Sequence, residues 1–247
     1  MYSLNEIRSL DSRRLADFVT AEVKTLLEDE ALAILDNPFI TPSICQAIAQ
    51  NPRLTGYYQV RLKLVALRQT PLAHAVKFIH YLYWPDLIRI SIDVKVPAAV
   101  RRAIDTQLLL RLDKLTLGER ITSARRCSAA LIKVFLFDPD PKVFAALLIN
   151  QPLREDDLLV IANSSRASVE QLMLIAADNK WSYRYAIRKA LVMNPLTPRA
   201  IAAAQLRFLS LKDLRLIHSR PDTSVYLRRC IERINHVFAP SAVEEAP

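Results

Sequence analysis

The sequence predicts an all-α protein, a right-handed α-solenoid of short helical hairpins with an internal duplication that aligns Tyr58 with Tyr185, an offset of 127 in the numbering. Glycine occurs only twice in 247 residues, which disfavours sheet hairpins and glycine-rich phosphate loops. Apolar residues recur every three or four positions, as in Trp181 to Met193, which is typical of helices with one buried face. Short helices joined by tight corners cannot each bury that face alone, so we expect them to stack.

The predicted corners between helices share a sequence motif. Residues 194–198 read Asn-Pro-Leu-Thr-Pro, and residues 37–42 read Asn-Pro-Phe-Ile-Thr-Pro. Proline disfavours helical geometry in the residue before it, so a helix is expected to end at Asn194. Thr197 is then expected to cap the next helix, with Pro198 at its first position. Each motif therefore predicts a helix end followed at once by a helix start.

The second half of the chain repeats the first. When residues 58–104 are aligned with residues 185–231, 15 of 47 positions are identical. The identical pairs include Tyr58/Tyr185, Arg61/Arg188, Thr70-Pro71/Thr197-Pro198, Asp86-Leu87/Asp213-Leu214 and Arg101-Arg102/Arg228-Arg229. Similarity at one fixed offset indicates a duplication.

Five segments are expected from this organisation. We expect an N-terminal helical cap over residues 1–30, a first repeat half over 31–104, connecting helices over 105–137, a second repeat half over 138–236 and a flexible tail over 237–247.

A resemblance to a known family rests on residues 138–201. This stretch contains Asp-Pro-Asp-Pro, Asn-Gln-Pro-Leu and Arg-Lys-Ala-Leu-Val-Met-Asn-Pro-Leu-Thr-Pro. It resembles HEAT-like repeats, most of all the leucine-rich-repeat-variant subclass, over residues 31–104 and 138–231. The resemblance implies the fold and says nothing of chemistry. Some members of the subclass carry an iron–sulphur cluster on clustered cysteines; this chain has no such cluster, so no cofactor is carried over.

The basic side chains are concentrated in two blocks. The net charge is +9, and it reaches +9 over residues 53–126 and +8 over residues 181–233. Electropositive patches suit a phosphate backbone or an acidic protein. The candidate residues for binding an acidic ligand are Arg61, Arg101, Arg102, Arg184, Arg188, Arg228 and Arg229.

The same arginines also have a structural interpretation. They could be the ordinary solvated coat of a helical repeat, partly paired with acidic residues. Arg61 with Asp86 and Arg188 with Asp213 are the favoured ion pairs, because both members are present in both copies.

Two tryptophans are candidate aromatic contacts. Trp84 lies in the aromatic stretch 80–86, and Trp181 follows Asp178. Aromatic rings beside basic residues are what base stacking requires, and the combination resembles, in fold type and residue kind only, the alkylpurine DNA glycosylases built from HEAT-like repeats. The alternative is core packing, which is favoured because Trp84 is replaced by Leu211 in the second copy.

No motif for catalysis, a cofactor or a metal is recognised. The four histidines have no metal-ligand spacing, and the acidic run 155–157 fits the first turn of a helix. The three cysteines are scattered, which is typical of buried thiols in a reducing compartment. No apolar run approaches the ~20 residues that span a bilayer, and residues 1–6 show no signal-peptide pattern.

These patterns favour a cytoplasmic, non-catalytic binding scaffold whose extended, partly basic surface holds a protein partner, expected to be acidic. No membrane association and no small-molecule substrate are indicated. The alternative is a nucleic-acid-binding protein, with a HEAT-like-repeat DNA glycosylase as its less favoured enzymatic form. The glycosylase requires Trp84 or Trp181 to be exposed near a carboxylate.

Overall fold

A computed structural model describes residues 2–234, and in this range all regular secondary structure is helical. The described residues form two compact units, which divide between Leu131 and Ile132. Their division falls inside the predicted connecting stretch 105–137. The predicted tail 237–247 and the last two residues of the predicted second half lie outside the described residues. No helix between residues 2 and 234 is long and apolar enough to cross a membrane.

The helices are short and follow one another closely. Unit 1 contains α1 (Leu4–Ser9), α2 (Ser12–Glu22), α3 (Glu28–Leu35), α4 (Pro42–Gln50), α5 (Tyr58–Ala66), α6 (Leu72–Ile79), α7 (Trp84–Ile92), α8 (Ala98–Arg111) and α9 (Leu117–Ala124). Helix α10 (Ala129–Phe135) crosses the boundary. Unit 2 contains α11 (Pro141–Leu148), α12 (Glu155–Ala162), α13 (Val169–Ala177), α14 (Tyr185–Met193), α15 (Arg199–Leu206), α16 (Leu211–Ser219) and α17 (Val225–Ile234).

Most of the predicted corners are present. Helix α14 ends with Asn194 as its C-cap, as predicted, and Thr41 caps α4 with Pro42 in its first turn. The prediction for Thr197 was wrong by one residue, because Pro198 is the N-cap and α15 begins at Arg199. Thr197 lies just outside the helix and is 6% exposed, so it belongs to the buried part of the corner.

The asparagine before the proline has a role that the sequence pattern did not reveal. Asn37 is only 2% exposed, and its Nδ2 donates to the carbonyl oxygens of Ile7 at 2.8 Å and Leu10 at 3.0 Å. Its Oδ1 accepts the N–H of Phe39 at 2.7 Å. The side chain thus closes its own turn, between α3 and α4, and also binds the corner between α1 and α2, which satisfies buried backbone groups.

The same arrangement, which we call the asparagine clamp, occurs in unit 2. Asn194 donates to the carbonyl oxygens of Ala162 at 2.7 Å and Ser164 at 3.1 Å, and it accepts the N–H of Leu196 at 2.9 Å. Asn51 makes a third clamp, in which Nδ2 donates to Val23 O at 2.6 Å. In all three clamps, the asparagine fastens its corner to the corner two before it in the chain.

Packing inside each unit joins helices that are two apart in the chain. In unit 1, α3 packs on α1 and α5, and α6 packs on α8. In unit 2, α12 packs on α14, α11 on α13, and α15 on α17. The C-terminal part of unit 2 has its own apolar cluster, formed by Val192, Ala202, Leu206, Leu209, Leu214, Ile217, Leu227 and Ile231. Neighbouring hairpins therefore bury one another's apolar faces.

The two units share their helix boundaries. At the offset that aligns Tyr58 with Tyr185, helices α3 to α7 coincide at both ends with α12 to α16, and α8 begins where α17 begins. Corresponding residues therefore occupy the same helical positions in the two units, so their contacts can be compared one by one.

Candidate binding surfaces

Most of the candidate arginines bind carbonyl oxygens of nearby corners. Arg61 Nη2 donates to Gly56 O at 2.7 Å, and Arg188 Nε donates to Ser182 O at 2.8 Å. Arginine supplies several donors in a rigid planar fork, so one bond to a carbonyl holds part of the fork and leaves other donors available. Arg61 and Arg188 are each held at a corner in this way.

A second matched pair behaves in the same way. Arg101 Nε donates to Val96 O at 3.1 Å, and Arg228 Nη2 donates to Arg220 O at 2.7 Å. Their sequence neighbours differ. Arg102 and Arg229 are exposed, and the structure gives neither side chain a hydrogen bond or ion pair with another residue in 2–234.

Arg184 has a different partner. Its Nη1 lies 3.3 Å from Glu155 Oε2, and its guanidinium carbon lies 5.4 Å from the centre of the Tyr183 ring. Glu155 is in the first turn of α12 together with Asp156 and Asp157, which confirms the structural interpretation of that acidic run. Five of the seven candidate arginines are therefore engaged within the protein.

The two predicted ion pairs were wrong. Asp86 accepts the hydroxyl of Tyr58 at 2.5 Å and pairs with Arg89 at 3.1 Å, not with Arg61. Asp213 accepts the hydroxyl of Tyr185 and pairs with Lys189 at 2.8 Å, not with Arg188. The reason is geometric. Each arginine is already held by a corner carbonyl, while the tyrosine at the start of the neighbouring helix reaches the carboxylate.

The tyrosine hydroxyl also accepts a hydrogen bond from the N-cap residue of the helix two further along the chain. Tyr58 accepts the N–H of Tyr83 at 3.2 Å, and Tyr185 accepts the N–H of Ser210 at 3.1 Å. Positions 83 and 210 are again aligned at the offset of 127. The sequence contained this signal, because the tyrosine and the aspartate are identical at the aligned positions, but the interpretation paired the aspartate with the wrong neighbour.

These bonds shift two pKa values. Burial, followed by the hydrogen bond to Asp86, raises the pKa of Tyr58. The hydrogen bond from Lys189, followed by that from Tyr185, lowers the pKa of Asp213. The first shift keeps Tyr58 a donor and the second keeps Asp213 an acceptor at neutral pH.

Aromatic rings lie beside the fixed arginines. The Arg61 guanidinium is 5.3 Å from the centre of the Tyr81 ring, and the Arg188 guanidinium is 3.7 Å from the centre of the Phe208 ring. Such contacts are attractive because the ring face is electronegative. Tyr83 stacks on Tyr58 at 4.7 Å and is 68% exposed.

We name these surfaces the first edge and the second edge. The first edge consists of Tyr58, Arg61, Tyr81, Tyr83 and Asp86 in unit 1. The second edge consists of Tyr183, Tyr185, Arg188, Phe208, Ser210 and Asp213 in unit 2. Both edges combine exposed aromatic rings with a fixed arginine.

Both candidate tryptophans are buried. Trp84 is 8% exposed and Trp181 is 2% exposed. The indole N–H of Trp84 donates to Ser123 Oγ, and that of Trp181 donates to Leu148 O at 3.4 Å. Neither tryptophan is exposed, so the requirement of the glycosylase interpretation is not met.

The described residues contain no group of three or more histidine, cysteine or acidic side chains that could hold a metal ion. Burial raises the pKa of the Cys45 thiol to about 11, so this cysteine is protonated and unreactive at neutral pH. Comparison with known proteins finds no matching family model, no matching curated protein and no matching solved structure. The function must therefore be inferred from the two edges and the residues around them.

Proposed function

We propose that the protein is a non-catalytic scaffold that binds an acidic protein partner through its first and second edges. The observation that carries this proposal is the arrangement of exposed tyrosine rings around an arginine that is fixed by the backbone. Tyrosine and arginine are enriched at the energetic centres of protein interfaces. Because Arg61 and Arg188 are already held in place, less side-chain entropy is lost when a partner binds them.

We also propose that the fold is a right-handed α-solenoid of HEAT-like hairpins that arose by duplication. The matched boundaries of α3 to α7 and α12 to α16 support this. So does the recurrence of the bonds made by Tyr58 and Tyr185 at equivalent positions. Packing between helices two apart in the chain is what a stacked repeat requires.

The partner is expected to be acidic because of the charge around the edges. Residues 53–126 carry a net charge of +9 and residues 181–233 a net charge of +8. Such a potential accelerates the association of an oppositely charged protein. We propose a cytoplasmic location, consistent with the buried, protonated thiol of Cys45.

Nucleic-acid binding is less well supported by the arginine geometry. A phosphate backbone is held by cations that are free to contact it, whereas Arg61, Arg101, Arg188 and Arg228 donate to corner carbonyls. Arg184 pairs with Glu155, and Arg102 and Arg229 are the two candidates without a hydrogen bond or ion pair to a described residue.

The test is a screen of the purified protein against a displayed library of acidic and neutral peptides. We expect acidic sequences to be enriched, and the enrichment to be lost in the double variant Tyr81→Ser/Tyr83→Ser. The matched control is Phe39→Ser, which removes another exposed ring, 54% accessible, from outside the first edge. Equal enrichment in both variants would contradict the assignment of the first edge.

The alternative is tested with fluorescent single- and double-stranded DNA and RNA over a salt series. We expect that none of these nucleic acids binds tightly with an affinity that falls steeply as the salt concentration rises. Tight binding whose logarithm falls with a slope of several against the logarithm of the salt concentration would show that several phosphates are contacted. That result would favour nucleic acid over an acidic protein.

A further inference from the structure

Unit 1 contains an apolar pocket between α7 and α9. The cavity has a volume of about 400 Å³, and its apolar lining includes Trp84, Pro85, Ile88 and Ile92. Protein pockets that hold ligands are about 300–1,000 Å³, and a dry cavity of about 150 Å³ is enough for benzene. The pocket is therefore large enough for one bulky apolar group.

The rim of the pocket is polar and basic. Arg89, Arg126, Glu119 and Thr122 line it. Glu119 Oε2 accepts the N–H and the hydroxyl of Thr116 at 2.9 and 2.8 Å, so its charge is used to cap the start of α9. The hydrogen bond from the Thr116 backbone lowers the pKa of Glu119.

The two arginines of the rim differ in what they contact. Arg89 pairs with Asp86 of the first edge at 3.1 Å. The structure gives the Arg126 side chain no hydrogen bond or ion pair within residues 2–234, and it is exposed. A carboxylate placed at the rim would therefore meet a free guanidinium at Arg126 and a second cation at Arg89.

The pocket adjoins the first edge. Tyr83, 68% exposed, directly precedes Trp84, and Asp86 and Arg89 follow on the same helix. Arg89 lines the pocket and pairs with Asp86 of the first edge at 3.1 Å, so this ion pair joins the two.

The equivalent positions in unit 2 are different. Trp84 corresponds to Leu211, which is 48% exposed, and Arg89 corresponds to Leu216, also 48% exposed. The indole of Trp84 and the guanidinium of Arg89 in the pocket lining therefore have no counterpart in unit 2. Trp84 and Arg89 take no part in the contacts that the two edges share.

We propose that the α7–α9 pocket takes a bulky apolar side chain of an acidic segment in the protein partner. The apolar side chain packs on Trp84, Ile88 and Ile92, and neighbouring carboxylates of the segment face Arg89 and Arg126. This inference rests on the proposed function, since it names how the partner of the first edge is recognised. A single buried side chain of this kind is enough to set the preference of the site, because burial removes most of its apolar surface from water.

The pocket can be filled without straining the protein. A Cβ added at Gly118 meets no atom within 4 Å, and Gly118 lines the pocket in the first turn of α9. Gly118→Leu therefore adds a bulky apolar side chain to the pocket lining without a clash at its Cβ. Gly118→Ala is the matched control, because it makes the same backbone change with only a methyl group. Either substitution favours the helix over glycine.

The experiment measures the affinity of three labelled synthetic peptides by fluorescence anisotropy. The first has a central phenylalanine flanked by three aspartate or glutamate residues on each side. The second has alanine at the centre, and the third keeps phenylalanine but replaces the acidic residues with serine. We expect the first peptide to bind at least about tenfold more tightly than the other two. A tenfold difference in affinity corresponds to about 1.4 kcal/mol of binding free energy.

The variants then locate the site. We expect Gly118→Leu to weaken the first peptide about tenfold and to remove its preference over the alanine peptide, while Gly118→Ala binds like the unmodified protein. Arg126→Glu should weaken the acidic peptides and leave the serine peptide unchanged. Circular dichroism and thermal unfolding of each variant confirm that it is folded.

The outcomes separate the pocket from the proposed function. If Tyr81→Ser/Tyr83→Ser abolishes peptide binding and Gly118→Leu does not, the scaffold proposal stands and the pocket proposal is overturned. If no acidic peptide binds the unmodified protein, both fail. Binding of decanoate that Gly118→Leu blocks, without peptide binding, would make this a small-molecule site and would overturn the peptide assignment.

Discussion

The first and second edges have the same tyrosine–aspartate bond and a different cation beside it. In unit 2, Lys189 of α14 reaches across to Asp213 of α16. Position 62, the equivalent of Lys189, is leucine, and Asp86 pairs instead with Arg89 on its own helix. The shared contact joins neighbouring helices and caps one of them. The comparison therefore separates contacts that hold the repeat together from charges that each unit places on its own surface.

The same division applies to the arginines. Arg61 and Arg188, like Arg101 and Arg228, bind corner carbonyls in both units. The acceptors are not at aligned positions, but each of these side chains binds a carbonyl of a nearby corner, and the fold explains it. Trp84, whose equivalent is an exposed leucine, is not explained in that way, and it is the residue around which the pocket is built.

The largest effect is expected from breaking the asparagine clamp in either unit. Asn194→Ala removes two bonds to carbonyl oxygens and one from a backbone N–H. Leaving buried groups unpaired costs about 1–3 kcal/mol each, so we expect a loss of about 3 kcal/mol in the free energy of unfolding. Asn37→Ala should cost a similar amount, because it breaks the same three bonds in unit 1.

Urea unfolding followed by circular dichroism measures both losses. The control is Asn179→Ala, which removes an exposed amide and should change stability by only a few tenths of a kcal/mol. A loss in Asn194→Ala no larger than in this control would mean that the clamp is not stabilising.

A smaller effect is expected from the tyrosine–aspartate bond, and it should differ between the edges. Tyr58→Phe should cost about 1 kcal/mol, the usual net contribution of a hydrogen bond. Tyr185→Phe should cost less, because Tyr185 is 45% exposed and water can replace the lost bond. Urea unfolding compares the two variants with Tyr183→Phe, whose hydroxyl has no hydrogen bond to a described residue. Equal losses in all three would contradict the assigned role.

The smallest effect concerns the cation that distinguishes the edges. Lys189→Leu gives unit 2 the leucine that unit 1 has at the aligned position, Leu62. We expect this substitution to raise the pKa of Asp213 towards the usual aspartate value of about 3.9. Adding Leu216→Arg supplies the arginine found at position 89 and should lower that pKa again. Carbon-detected NMR titration of the Asp213 carboxyl group measures both changes.

This shift has a defined consequence for stability. The folded-state pKa of Asp213 lies below its unfolded value, so its contribution is fully present above about pH 3.9 and is lost as the pH falls through the folded pKa. Lys189→Leu should make the stability of unit 2 less dependent on pH in this acid range. An unchanged profile would show that Lys189 does not act on Asp213 in solution.

The sequence was most informative where local chemistry decides the structure. Asparagine–proline corners and apolar periodicity predicted the helices, because the effect of proline on its neighbours is local. The duplication alignment selected Tyr58, Asp86 and Arg61 as a set. It could not reveal which of them bond, since the acceptors of the arginine are backbone carbonyls that have no sequence signal.

The candidate site was predictable only in part for a related reason. The burial of Trp84 depends on α9, which supplies the hydroxyl of Ser123. No motif in residues 117–124 indicates that this helix covers the indole. The pocket is formed by residues that are distant in the sequence and are brought together by packing.

The asparagine clamps also have a consequence for the chemical lifetime of the protein. Asparagine deamidates when the nitrogen of the following residue attacks the side-chain amide, and this requires a nitrogen that carries a hydrogen. Asn37, Asn51 and Asn194 are each followed by proline, whose nitrogen carries none. The amides that fasten the corners are therefore the ones best protected from ageing, whereas exposed Asn163 and Asn179 are followed by residues that permit the reaction.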